Sequence, residues 1–232
     1  MVVRGIKRCL GSRPSQKLPI TPAILKCIHR QLDFSKPFDI AFWAACVTAF
    51  FGFFRKSTLL PKSKNKFDPS SDLCRSDLQI DPDGAIITIR HTKTIQFHER
   101  VLEIPLPKND NSILCPVSAL QKLLRVQVPI STSEPFPLFS YSKEPCAPSW
   151  ECITHANFVG TLKRTIIACG LSSSEYSGHS FRRGGASFAF SCGIPAAVIK
   201  LQGDWRSSAY ERYLAAPLEM RERMCRVLSL NL

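Results

Sequence analysis

Apolar residues recur at helical spacing along most of this chain and alternate with polar ones over a single stretch. Ile24, Leu25, Ile28 and Leu32 repeat three and four positions apart. They follow Thr21-Pro22, a side-chain cap and a first-turn proline, which predicts a helix start. Ser35 to Phe38 breaks the pattern, and the segment from about Asp39 to Phe53 is apolar nearly all round, which predicts a buried central helix. Further helices are predicted at 115–126, where Leu120, Leu123 and Leu124 share a face, and at 154–169, where Phe158, Leu162, Ile166 and Ile167 do. Strand-like stretches are Asp77–Ile80, Ala85–His91 and Val101–Pro105; Asp81 to Gly84 supplies a turn, and Thr92 to Arg100 forms the loop between the second and third. The expected class is mainly α with a small antiparallel β-sheet (α+β).

From Ser177 to Leu214 the pattern is denser. A Ser-Gly break precedes a helix from His179 with Phe181, Ala186, Phe188, Ala189 and Phe190 as its apolar members. Gly193-Ile194-Pro195 ends it and starts another, which Gly203-Asp204 ends; a third begins near Ser207 or Ser208. The tail from Leu218 is amphipathic, with Met220, Met224, Val227 and Leu228 apolar. Residues 129–149 are rich in Pro and Ser and offer only one short apolar piece, Pro137–Ser140.

The 232 residues, 44% of them hydrophobic, suit one large domain with a real core. Charge changes the picture: 31 basic against 18 acidic residues give a net charge of +13, which favours a polyanion or an anionic membrane surface. The apolar run Ile40 to Phe54 is too short for a membrane span and reads as a core helix. The ten cysteines are scattered with no C-x-x-C pair, which fits free thiols in a reducing, intracellular compartment and no metal site. Residues 1–20, with Arg4, Lys7 and Arg8, read as a basic linker or arm preceding a domain at 21–232; Lys62, Lys64 and Lys66 lie in a polar loop. Each of these cations can be a solvated surface charge or a contact to a nucleic-acid backbone.

The candidate chemistry lies in the dense stretch. His179 and Arg182 stand three residues apart on one helix face, near a helix start whose N–H groups favour an anion. Such a pair, joined by further cations, can hold a phosphate, and a tyrosine hydroxyl beside it can attack phosphorus. Arg55 follows the most hydrophobic stretch of the chain, where it can cap helix carbonyls or be aimed into a site; Lys93 lies on the hairpin loop.

In order, the chain reads Arg55, a hairpin Lys93, His179-x-x-Arg182, Trp205 and Tyr213. It thereby resembles the catalytic domain of the tyrosine recombinase (phage integrase) family over nearly all of residues 20–232. The stretch GDWRSSAYERYL looks most like members carried by eukaryotic mobile elements. The resemblance implies that Arg55 and Arg182 hold the non-bridging oxygens of a scissile phosphate. It further implies that His179 assists proton transfer or hydrogen-bonds the phosphate, that Lys93 is general acid to the leaving 5′-hydroxyl, and that Trp205 donates its indole N–H. Tyr213 would be the nucleophile of a 3′-phosphotyrosyl intermediate, with Tyr210, one turn earlier on about the same face, as the alternative. Arg4, Lys7, Arg8, Lys62, Lys64 and Arg183 would contact DNA. No cofactor, metal or ATP is implied; the partners would be duplex DNA and three further copies in a tetrameric synapse, in the nucleus if the source is eukaryotic. The family usually adds an N-terminal DNA-clamping domain, which is not expected within residues 1–232, and often an acid where Thr58 stands; the Trp205–Tyr213 spacing is one shorter than usual. The competing expectation is a catalytically inactive DNA-binding derivative. A relaxing topoisomerase of similar chemistry fits the mobile-element look less well. A phosphate-handling metabolic enzyme would need a nucleotide-binding glycine motif, and Gly184-Gly185 is too short for one.

Overall fold

The computed structural model describes residues 16–92, 95, 100–126, 135–142 and 150–214, apart from the side chains of 209, 212 and 213. Arg4, Lys7, Arg8, Lys93 and the amphipathic tail therefore lie outside the described residues. Helix α1 (Pro22–Arg30) is capped by Thr21, whose hydroxyl accepts from Ile24 N. Helix α2 (Pro37–Phe51) is the centre of the molecule: every residue from Ala41 to Phe50 is buried. It starts earlier than the apolar pattern predicts, because Pro37 is well suited to a first turn whose N–H has no helical partner. A short α3 (Lys56–Leu59) follows Arg55.

The predicted sheet forms as three antiparallel strands in sequence order, β1 (Leu78–Asp81), β2 (Gly84–Ile89) and β3 (Leu102–Pro107). Ala85, Ile87 and Ile89 of β2 face the core; the partners of the latter two across β3 are Ile104 and Leu102. Strict alternation fixes this register, since a slip of one residue would turn the isoleucines to water. Helix α4 (Pro116–Arg125) packs on α2. A two-stranded ribbon, β4 (Ser140–Tyr141) with β5 (Glu151–Cys152), lies beside it. Helix α5 (His155–Ala168) is opened by a reciprocal cap between Thr154 and Asn157. Helices α6 (His179–Ser191) and α7 (Ala196–Gln202) follow, then a 3-10 turn, Ser208–Tyr213. Among the described residues no helix is long and apolar enough to cross a membrane.

Residues 17–20 join this core. Leu18 N donates to Glu175 O and Ile20 N to Ser180 O, while the Ile20 side chain is fully buried. Helix α6 meets them through glycines: a Cβ on Gly184 would lie 1.8 Å from Ile20 O, and one on Gly185 2.0 Å from Phe50 O. The Gly184-Gly185 pair therefore brings the backbone of α6 against α2 and the Ile20 segment, which sets where the H-x-x-R face ends up.

Candidate active site

The site forms where α2 and α7 end on either side of α6. Both helices close with the same hydrogen-bond pattern. Phe53 N donates to Phe50 O and Phe54 N to Ala49 O; Asp204 N donates to Leu201 O and Trp205 N to Lys200 O. In each, the residue after the capping glycine takes a left-handed conformation, Phe53 at φ 50° and Asp204 at φ 49°. Neither is a glycine, so each position carries local strain.

Arg182 connects the two ends. Its side chain is buried, its Nη1 donates to Phe53 O, and its Nη2 donates to Gly203 O at 2.6 Å. Its guanidinium carbon lies 3.8 Å from the centre of the Trp205 ring. Burying a guanidinium is costly unless its donors are satisfied. Here two helix C-termini supply carbonyls and the negative ends of their dipoles, and the Trp205 face adds a cation–π contact. Trp205 is itself buried against Phe53 and Tyr210, with ring centres 6.2 and 5.9 Å away.

Arg55 caps the start of α3 with its backbone and is half-buried. Its side chain lines a small cavity of about 20 Å³ together with Arg182, Thr58, Thr92, Gln202 and Asp204. Among the described residues no hydrogen bond or ion pair engages the Arg55 guanidinium. Of the two roles open from the sequence, capping of carbonyls or a place in a site, no described hydrogen bond shows the first. Gln202 secures the same corner from outside, donating to Phe51 O and Pro105 O.

His179 is the first residue of α6, and its pKa is depressed by surrounding protein, then by the charges of Arg182, Arg55 and Arg183. The residue as a whole is exposed, which weakens the first cause and leaves the cation cluster as the firmer one. Four of the six expected residues, Arg55, His179, Arg182 and Trp205, thus share one locality. Lys93 follows Thr92, a cavity residue, but is itself outside the described residues. Tyr213 closes the 3-10 turn, its side chain also outside them, whereas the Tyr210 ring is buried beside Trp205 with Lys200 Nζ 5.9 Å from its centre.

Two residues expected at DNA have other engagements. Lys64 Nζ lies 3.7 Å from a Glu151 carboxylate oxygen and 4.9 Å from the centre of the Trp150 ring. Arg183 donates to Lys17 O at 2.5 Å, pinning the segment before Ile20. Lys62 is exposed. The sequence reading missed Phe53, Gly203 and the Arg100–Asp204 ion pair. The only early signal was the repeated helix-glycine-residue pattern of Gly52-Phe53 and Gly203-Asp204.

Compared by sequence, the chain matches no family model and no curated relative. Compared by structure, it is similar to XerH site-specific recombinase in a post-cleavage complex with difH substrate. The TM-score is 0.60 at 14% identity, covering 92% of this chain and 54% of that one. It is similar too to the Tn1549 transposon integrase bound to circular intermediate DNA, with a TM-score of 0.52 at 13% identity, over 92% and 66% of the two chains. A Flpe–Holliday junction complex gives 0.51 at 13% identity, over 84% and 46%. This chain spans about half the length of XerH. The architecture is that of the tyrosine recombinase catalytic domain seen in these neighbours.

Proposed function

We propose that this domain cleaves and rejoins DNA strands through a 3′-phosphotyrosyl intermediate, in site-specific recombination or the integration of a mobile element. The observation that carries the reading is the pairing of Arg55 and Arg182 on one cavity, beside His179, on a fold shared with recombinases solved on DNA. The two guanidinium groups bind the non-bridging oxygens of the scissile phosphate, whose charge grows in the transition state. Arg55 supplies the cation that has no protein partner among the described residues. Arg182, held by two carbonyls, supplies a charge that does not reorganise during reaction.

The Tyr213 oxygen attacks phosphorus, a P–O bond to the phenolic oxygen forms, and the bond to the 5′-oxygen breaks. Lys93 gives that oxygen its proton, and His179, kept neutral by the cations around it, hydrogen-bonds the phosphate or takes the tyrosine proton. Religation reverses the step with a new 5′-hydroxyl. The covalent bond conserves the phosphodiester energy, so the chemistry calls for neither ATP nor metal. Burial of Tyr210 against Trp205 supports Tyr213 as the nucleophile. Duplex DNA and further copies around a synapse are the proposed partners, and the charge of +13 predicts binding that weakens steeply with salt.

Covalent trapping tests this. A nicked suicide substrate is incubated without metal with the wild type, Tyr213→Phe and Tyr210→Phe. The expected result is a protein–DNA adduct that only Tyr213→Phe abolishes. Loss only in Tyr210→Phe moves the nucleophile by one turn. DNA binding without an adduct from any form would replace the enzyme reading with that of an inactive DNA binder.

A further inference from the structure

The cavity lined by the two arginines is also lined by an acidic residue. Asp204 lines it beside Arg55 and Arg182, on the turn whose Gly203 carbonyl accepts from Arg182 and whose Trp205 ring covers that guanidinium. A carboxylate in this position competes with phosphate for the same cations, and because it is tethered its effective concentration is high. Its side chain is only 12% exposed, so solvent does little to restrain it. Its backbone, at φ 49°, would be more comfortable as glycine, so conformation alone does not account for an aspartate there.

The carboxylate is occupied from the other side. Arg100, just before β3, forms an ion pair with Asp204 across 104 positions of sequence. We propose that Arg100 is a positioning residue that turns the Asp204 carboxylate away from Arg55 and Arg182, keeping the two-arginine cavity open to a phosphate group. Arg100 acts through Asp204 and not by touching the phosphate. It also ties the end of the β2–β3 connection to the turn that holds Arg182, so hairpin and cavity are set together. The inference rests on the phosphate-holding role given above.

Arg100→Ala, Asp204→Asn and the double variant test the idea. The Arg100 side chain is 41% exposed, so its truncation leaves the core intact, which a thermal melt of each variant checks. The first readout is binding of inorganic phosphate, followed by tryptophan fluorescence, because Trp205 lies on Arg182. The second is the rate of adduct formation on nicked DNA. Arg100→Ala should weaken phosphate binding and slow adduct formation by about tenfold, the scale of an unneutralised charge at a binding site. Asp204→Asn should be impaired less than Arg100→Ala, and the double variant should recover to within about threefold of wild type, since removing the carboxylate removes the need for its neutraliser. A double variant as impaired as Arg100→Ala, an Arg100→Ala that behaves as wild type, or a wild type that binds no phosphate would each overturn the proposal. If phosphate binding follows the expected pattern while no form makes an adduct, the proposal stands and the strand-cleaving function falls. If adducts form but phosphate binding and rate ignore Arg100, the function stands and the proposal falls.

Discussion

The ends of α5 and α6 and the ends of α2 and α7 are built by one hydrogen-bond pattern and filled by different residues. At the first pair the left-handed position is Gly170 at φ 74° and Gly193 at φ 85°, and a Cβ there would meet nothing within 4 Å. Leu171 N returns to Ile166 O and Ile194 N to Ala189 O, as in any helix closed this way. At the second pair the same position is Phe53 and Asp204, each bearing a side chain where glycine would relax the backbone. These are the two ends that hold Arg182. The Phe53 ring packs on Trp205, and the Asp204 carboxylate meets Arg100. Where a helix end only stops the helix, the relaxed residue occurs; where it positions a cation, strain coexists with a side chain that has something to hold.

The sharpest way to break the comparison is to remove what the second pair holds. Arg182→Ala leaves two inward-facing carbonyls and the Trp205 face without their cation. It should cost about 3 to 5 kcal/mol of stability, read by urea denaturation. Arg182→Lys should recover only part of this, because one ammonium does not reproduce a planar fork reaching two carbonyls. A loss below about 1 kcal/mol would mean that Arg182 does not tie these helix ends together.

The next test separates strain from packing at Phe53. Phe53→Ala loses the ring and keeps the strain, and should cost about 3 kcal/mol or more. Phe53→Gly loses the same ring and relieves the strain, so it should be more stable than Phe53→Ala by about 1 kcal/mol, contrary to the usual order of these residues. Equal stability of the two would remove strain from the account. Gly193→Ala probes the plain end: with open space around the Cβ, only the left-handed backbone opposes it, and about 1 kcal/mol should be lost.

The smallest effect is electrostatic. Nearby protein and the charges of Arg182, Arg55 and Arg183 favour the neutral imidazole, so His179 should protonate only below the ordinary histidine range near 6.5. Exchanging Arg55 for glutamine removes one of those charges and should raise the His179 pKa in an NMR titration. Since its folded pKa lies below the unfolded one, acid through this window protonates the unfolded chain first and lowers stability. A His179 pKa unmoved by Arg55→Gln would separate the two residues electrostatically.

Much of this was legible in the chain. The unbroken apolar run announced α2, the alternation around Ile87 and Ile89 announced the sheet, and Gly203-Asp204 marked the end of α7. The residues of the cation cluster were legible too, because His179 and Arg182 stand one turn apart on a helix and Arg55 follows a core helix directly. These are local properties: periodicity and turn chemistry act within a few residues, so sequence spacing encodes them.

What the sequence left open was the choice among partners for each charge. Lys64 and Arg183 read like any cation available to DNA, yet one meets Glu151 and Trp150 and the other holds Lys17 O. Arg100 gave no sign of its pairing with Asp204, 104 positions away. Two backbone carbonyls, Phe53 O and Gly203 O, became the acceptors of a buried guanidinium only because α6 lies close enough, through Gly184 and Gly185, to reach both helix ends. The sequence by itself determined the elements and the residues of the cation cluster. The tertiary structure alone decided which charges neutralise one another and which face the cavity, because charge pairing depends on distance through space and not along the chain.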